Sequence, residues 1–181
     1  MRVLAFAASN NEQSINALLA AYAAELIPAA LVETLNIHDY EMPLFSNERE
    51  VSLGQPDQAL AFWKKIADAD AIIISFAEHN GNVTAAYKNL VDWTSRINTR
   101  VFQQKPAVFL ATSPGKGGAE NVLASAVQSA PYFGADLRAS LSIPSFHENF
   151  DVKRNEMINA RLRQELTQAV LLLDDAQRIA I

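Results

Sequence analysis

A chain of 181 residues, half of them apolar and 19% charged, is long enough to bury one core and too apolar for wholesale disorder. Its 15 Lys and Arg against 20 Asp and Glu leave a formal charge of -5 and no basic run, which argues against a nucleic-acid partner. Cysteine is absent, excluding disulfides, thiolate catalysis and cysteine metal sites; no apolar stretch approaches the roughly 18 residues of a membrane span; and the N-terminal apolar run is too short for a secretory signal, so a cytoplasmic location is expected.

In chain order, residues 3–7 form a short apolar run, read as a strand, that ends in Ser9-Asn10-Asn11. Ser14 reads as an N-cap for a helix over 15–27, stopped by Pro28. Residues 32–37 alternate apolar and polar as an edge strand would, and 39–56 read as a long loop. Residues 58–69 carry apolar positions at helical spacing, including Leu60, Phe62, Trp63 and Ile66. Residues 71–76, Ala-Ile-Ile-Ile-Ser-Phe, are the clearest buried strand; a polar turn over 78–82 and a helix over 84–93 follow. A strand over 106–111, a helix over 121–133, a strand over 136–142, an irregular loop over 143–152 and a closing helix from 155 to about 178 complete the chain.

Strand and helix thus alternate five times within one expected domain covering residues 1–181. Right-handed crossovers then require a parallel sheet covered by helices on both faces. The flavodoxin-like order 2-1-3-4-5 suits five such strands best, and it puts the ligand at their carboxyl ends. The loops after the first, third and fourth strands meet there, and they are also the three with the most unusual composition.

The first of these loops, Ser9 to Asn16, sets two hydroxyls and an amide around a helix start, where free N–H groups and the dipole favour a phosphate. Plain capping by Ser14 is the alternative reading of that loop. The second, Glu78-His79-Asn80-Gly81-Asn82, offers flat polar groups and a glycine that permits close approach of backbone. The third, Thr112-Ser113-Pro114-Gly115-Lys116-Gly117-Gly118, contains Gly-Lys but lacks the following Ser or Thr of a phosphate loop. No Gly-x-Gly-x-x-Gly and no Gly-x-Ser-x-Gly occurs, which disfavours a dinucleotide fingerprint and a serine hydrolase. His38 and His147 read as surface residues, and no metal site is expected.

With these residues the chain resembles the NADPH-dependent FMN reductase family of flavodoxin-like proteins, which includes quinone, azo-dye and chromate reductases. The family pattern Pro-Glu-Tyr-Asn-Gly, a spacer, then Leu-Lys-Asn-Ala-Ile-Asp-Trp is met at Glu78, Asn80, Gly81, Lys88, Asn89, Asp92 and Trp93. Ala77 stands for its proline, His79 for its tyrosine and Tyr87 for its leucine. Thr112 to Gly118 matches a further flavin loop, and Ser9, Ser14 and Asn16 match the family's first loop, with Asn11 in place of its arginine.

The resemblance implies bound FMN, reduced by NADPH or NADH and reoxidised by a small-molecule electron acceptor such as a quinone or a flavin. It implies that Ser9, Asn11, Ser14, Ile15 and Asn16 meet the phosphate. Glu78, His79, Asn80 and Gly81 would border the isoalloxazine, and Ser113, Pro114 and Gly115 would flank the ring and ribityl chain. Hydride passage through a flavin requires no acid–base side chain from the protein, so no catalytic residue is assigned. A homodimer or homotetramer is implied, with residues 88–93 near the subunit interface. A flavodoxin-type electron carrier and a flavodoxin-like protein with weak or no flavin binding are the alternatives; the modest charge of -5 favours the enzyme over the carrier.

Overall fold

The computed structural model describes residues 1–174. Strands β1 (Arg2–Ala8), β3 (Ala71–Phe76) and β4 (Pro106–Thr112) are buried along nearly their whole length, as an apolar run without polar alternation demands. β2 (Leu31–Leu35) and β5 (Asp136–Ile143) are more open and take the two edges. All neighbours pair in parallel, and the sheet order is β2-β1-β3-β4-β5, the order expected from the sequence.

Alternation along the strands sends side chains to two cores. On one face Leu4, Phe6, Ile72, Ile74 and Phe109 meet α3 (Asp57–Asp68), α4 (Ala85–Thr94) and α5 (Glu120–Ser129). Phe6 meets Phe62 of α3 edge to face at 5.7 Å, and Phe76 meets Tyr87 of α4 likewise at 5.4 Å. On the other face Val3, Ala5, Ile73, Val108 and Leu110 meet α1 (Ile15–Glu25) and α7 (Ala160–Leu171). Ala20, Ala23 and Ala24 of α1 are all buried, so that helix lies close on the sheet.

The structure corrects three expectations away from the sheet. The region read as a long loop holds a 3₁₀ turn at Ile37–Tyr40 and α2 (Asn47–Leu53), which is capped by Ser46 and buries none of its residues. A helix that packs nothing has no apolar stripe, so periodicity misses it. The loop over 143–152 contains a short α6 (Phe146–Asn149) and β6 (Phe150–Asp151), which pairs antiparallel with β7 (Glu156–Met157). The closing helix therefore begins at Ala160, after an Asn159 N-cap, and Met157 and Ile158 precede it. The part of that expected helix beyond residue 174 lies outside the described residues.

The residues of the family-like motif on α4 act as a strap. Asn89 Nδ2 donates to the carbonyls of Met42 and Pro43 at 3.0 and 3.2 Å, its Oδ1 accepts from Phe45 N at 2.8 Å, and Trp93 Nε1 donates to Pro43 O at 2.7 Å. Together they bind segment 42–45 onto the helix. Lys88 and Asp92 form an i,i+4 ion pair at 2.6 Å, with the Lys88 side chain exposed, of the kind that stabilises a helix only slightly.

Candidate functional site

Parallel register decides which loops can share a ligand. Ala8 lies level with Phe76, Phe76 with Ala111, and Thr112 with Ile143. The chain therefore leaves β1, β3, β4 and β5 side by side along one edge of the sheet, and the three unusual loops start next to one another.

In the first loop, Ser14 Oγ accepts from Ala17 N at 3.3 Å and caps α1. Ser9 Oγ accepts from Asn11 N at 3.2 Å, and Asn11 Oδ1 accepts from Gln13 N at 2.9 Å, so a chain of local bonds shapes the turn. Both serines are buried, and each keeps a hydroxyl proton to donate. Helix geometry leaves the N–H groups of Ile15 and Asn16 without partners inside α1. No acid sits in the first turn of that helix, so its positive dipole end is uncompensated from within. Asn11 is exposed and neutral.

Asn16 is more than a member of that loop. Its Nδ2 donates to Thr112 O at 3.1 Å, and its Oδ1 accepts from Thr112 N at 3.1 Å and from Ser75 Oγ at 2.7 Å. The residue is 3% exposed. The Asn16 side chain clamps the start of α1 to the ends of β3 and β4, and its backbone N–H remains at the helix N-terminus. Ser75 and Thr112 were missed as site-building residues. The available signal was Ser75 itself, a hydroxyl inside an otherwise apolar, fully buried run.

In the second loop, His79 and Asn82 exchange backbone hydrogen bonds at 2.9 and 3.1 Å around Asn80 and Gly81. Both central residues have positive φ, 53° and 77°, which is the requirement of a type I′ turn and the reason Asn-Gly stands here. His79, Asn80 and Gly81 are exposed at the tip. Thr84 Oγ1 anchors the base of the loop by donating to Ala8 O at 3.0 Å and accepting from Tyr87 N at 3.2 Å.

Glu78 has a partner of its own at the sheet edge. Its Oε2 accepts from Val122 N at 2.9 Å, in the first turn of α5, whose N-cap position is Ala119 and has no side chain to cap with. The carboxylate thus supplies the missing cap across the sheet edge and complements the helix dipole. Glu78→Ala should cost about 1–2 kcal/mol in urea unfolding, whereas Glu78→Gln, which keeps an acceptor oxygen, should retain most of that. An unchanged midpoint in Glu78→Ala would remove the cap from this account.

The third loop is sewn to the segment after β5. Ser145 N donates to Gly115 O at 2.9 Å, Phe146 N to Ser113 O at 3.0 Å, and Ser142 Oγ to Gly118 O at 2.8 Å. A Cβ at Gly115 would meet nothing nearer than Ser113 Oγ at 3.9 Å, so the protein itself leaves space beside it. Gly118 is the constrained position, with φ +57° and a Cβ direction blocked by Ser142 Oγ and by Pro144 backbone atoms at 3.1 and 3.2 Å.

A cleft of about 690 Å³ opens beside the first loop, within the range typical of small-molecule sites. Ser9, Asn11, Ser14 and Ile15 line it, together with Thr34, Leu35, Asn36 and Asp39 from the end of β2 and the residues after it, and His147 of α6. The contributions from β2 and α6 were not foreseen. Residues 78–81 and 113–115 stand on the same sheet edge outside this cleft. Among the described residues no group of three or more His, Asp or Glu could hold a metal ion.

The chain is similar to proteins of known type. It is 36% identical over 94 residues to an NADPH:quinone oxidoreductase of Arabidopsis thaliana, covering 52% of this chain and 46% of that protein. It is 32% identical over 119 residues to an NAD(P)H-dependent FMN reductase of Pseudomonas aeruginosa, covering 65% and 63%. The aligned segments thus span between about half and two thirds of those relatives. Among solved structures, the flavoenzyme NAD(P)H:(acceptor) oxidoreductase FerB of Paracoccus denitrificans superposes with a TM-score of 0.75 at 22% identity, covering 96% of this chain and 95% of that one. An oxidoreductase of Corynebacterium diphtheriae gives a TM-score of 0.70 at 16% identity, covering 96% and 94%. These two establish the fold. The sequence profile of one family matches residues 1–148, and the chain belongs to that family, the NADPH-dependent FMN reductases.

Proposed function

We propose that this protein is an FMN-dependent NAD(P)H oxidoreductase that reduces quinones, flavins or similar small acceptors. The observation that carries the reading is the first loop: two buried serine hydroxyls and two free N–H groups converge on a helix N-terminus that carries no acid. That donor set fits the phosphate of FMN. Ser9, Ser14, Ile15 and Asn16 would hold the phosphate, the last two through their backbone. His79, Asn80 and Gly81 at the turn tip would border the isoalloxazine, and Ser113, Pro114 and Gly115 would lie along the ring and ribityl chain. Bound FMN would supply the redox chemistry, taking two electrons from NADH or NADPH and passing them to the acceptor. The side chains and N–H groups bind, orient and exclude water, and none is assigned acid–base work.

The same reading makes the chain a cytoplasmic homodimer or homotetramer with a single flavin-binding domain. Leu44, Val51 and Leu53 are 70, 88 and 56% exposed beside α4, and α2 buries nothing, which supports a partner copy covering that face. No helix among the described residues is long and apolar enough to cross a membrane.

FMN titrated into the purified chain should lose its fluorescence, and anaerobic NADH or NADPH should then bleach the bound flavin. If neither nicotinamide bleaches it, the enzyme reading fails. Asn11→Arg should tighten FMN by one to two decades, since a charge-assisted hydrogen bond to phosphate is typically worth about 1.5–3 kcal/mol. An unchanged dissociation constant in that variant would move the phosphate away from residue 11.

A further inference from the structure

The flavin reading leaves unused a second cavity, of about 180 Å³, set between α4 and α5 on the face of the sheet away from α1. Phe76, Val91, Phe109, Ala126 and Phe133 form its walls, and Tyr87 joins them. Tyr87 is 7% exposed, its hydroxyl makes no hydrogen bond with any described residue, and its oxygen is not sealed from the cavity. Of the other polar groups at the rim, Asn82 Oδ1 accepts from Val83 N at 2.8 Å, Ser129 Oγ donates to Ala126 O at 3.0 Å and Lys88 is paired with Asp92, while Ser125 stands exposed at the mouth.

The Tyr87 hydroxyl opens onto the cavity, and a phenylalanine would make the same edge-to-face contact with Phe76 without presenting that group there. The motif this helix otherwise matches carries leucine at that position. Burial holds the Tyr87 hydroxyl neutral, with its pKa raised above the ordinary 10.0, so it serves as an uncharged donor and acceptor. An apolar cavity of roughly 150 Å³ accepts one benzene ring. The space here therefore takes one ring, and the Tyr87 hydroxyl offers it a hydrogen-bonding point.

We infer that the α4–α5 cavity is a binding site for a one-ring phenol or quinol, distinct from the first-loop cleft and bordered by Asn82 at the end of the second loop, with the Tyr87 hydroxyl as its hydrogen-bonding anchor. The test is fluorine NMR of the full chain with 4-fluorophenol and fluorobenzene, neither of which exchanges electrons with a flavin. Both should bind saturably to the wild type, the phenol more tightly. Tyr87→Phe should cut the phenol's advantage by roughly two- to tenfold, the effect of one neutral hydrogen bond, while fluorobenzene still binds and so reports an intact fold. Ser125→Trp, at an exposed position on the cavity mouth, should remove both probes, and saturating FMN should leave both affinities unchanged. Displacement of the probes by FMN would overturn the site, as would an undiminished phenol advantage in Tyr87→Phe or persistent binding in Ser125→Trp. Absence of saturable binding, or its loss as the chain self-associates over the cavity, would overturn it equally.

Discussion

Replacing Asn16 with leucine is expected to lower unfolding stability by about 3–6 kcal/mol and to abolish FMN binding at concentrations that saturate the wild type. The substitution conserves approximate volume but leaves three groups without their partner: Thr112 N–H, Thr112 C=O and the Ser75 hydroxyl. Each orphaned group in a dry interior costs roughly 1–3 kcal/mol, and Ser75 and Thr112 are 0 and 1% exposed. The loss of flavin follows from position. The clamp is the side-chain link from the start of α1 to the ends of β3 and β4, and a shift of the helix N-terminus moves the donors meant for the phosphate. A cycle with Ser75→Ala separates the bonds: alone that change should cost about 1 kcal/mol, and in the Asn16→Leu background it should recover part of the loss, because it removes a hydroxyl already left without a partner. Urea titrations of the four proteins measure it. A loss below about 1 kcal/mol in Asn16→Leu would show that the clamp contributes only what one ordinary hydrogen bond does.

Gly118→Val should be the second severe change, at about 2–6 kcal/mol, and Gly115→Ala should be close to neutral. At Gly118 two penalties add. The backbone sits at φ +57°, which a β-branched residue adopts only under strain, and the new Cβ would overlap Ser142 Oγ and press on Pro144 backbone. Ser142→Ala relieves the first contact and leaves the second, since a main-chain atom in the segment sewn to this loop cannot step aside. The combination Gly118→Val with Ser142→Ala should therefore recover part of the loss and no more. Gly115 has open space around its Cβ direction and is not among the positive-φ positions. The composition of the loop, with three glycines in four positions, does not distinguish them. If Gly115→Ala destabilised as much as Gly118→Val, the backbone description of this loop would be wrong.

Whatever depends on near neighbours is legible in the chain alone. Runs such as 71–76 mark buried strands because nearly every residue in them must be apolar, and alternation of strand and helix then permits few sheet orders. Ser14 before an alanine-rich stretch, and Asn-Gly between His79 and Asn82, are local chemistry with local results, and both are seen in the structure. Only the tertiary structure decided which partner each polar group takes. Asn16 meets Thr112 from 96 positions away, Glu78 caps a helix 44 positions on, and Gly118 is confined by Ser142, 24 positions further along. No periodicity encodes those pairings; they exist because parallel register brings the ends of four strands level at one edge. The same reason explains the segment over 155–159, helical by composition. There β7 pairs with β6, and the hydrogen bonds of that small antiparallel ladder take the backbone groups a helix would have used.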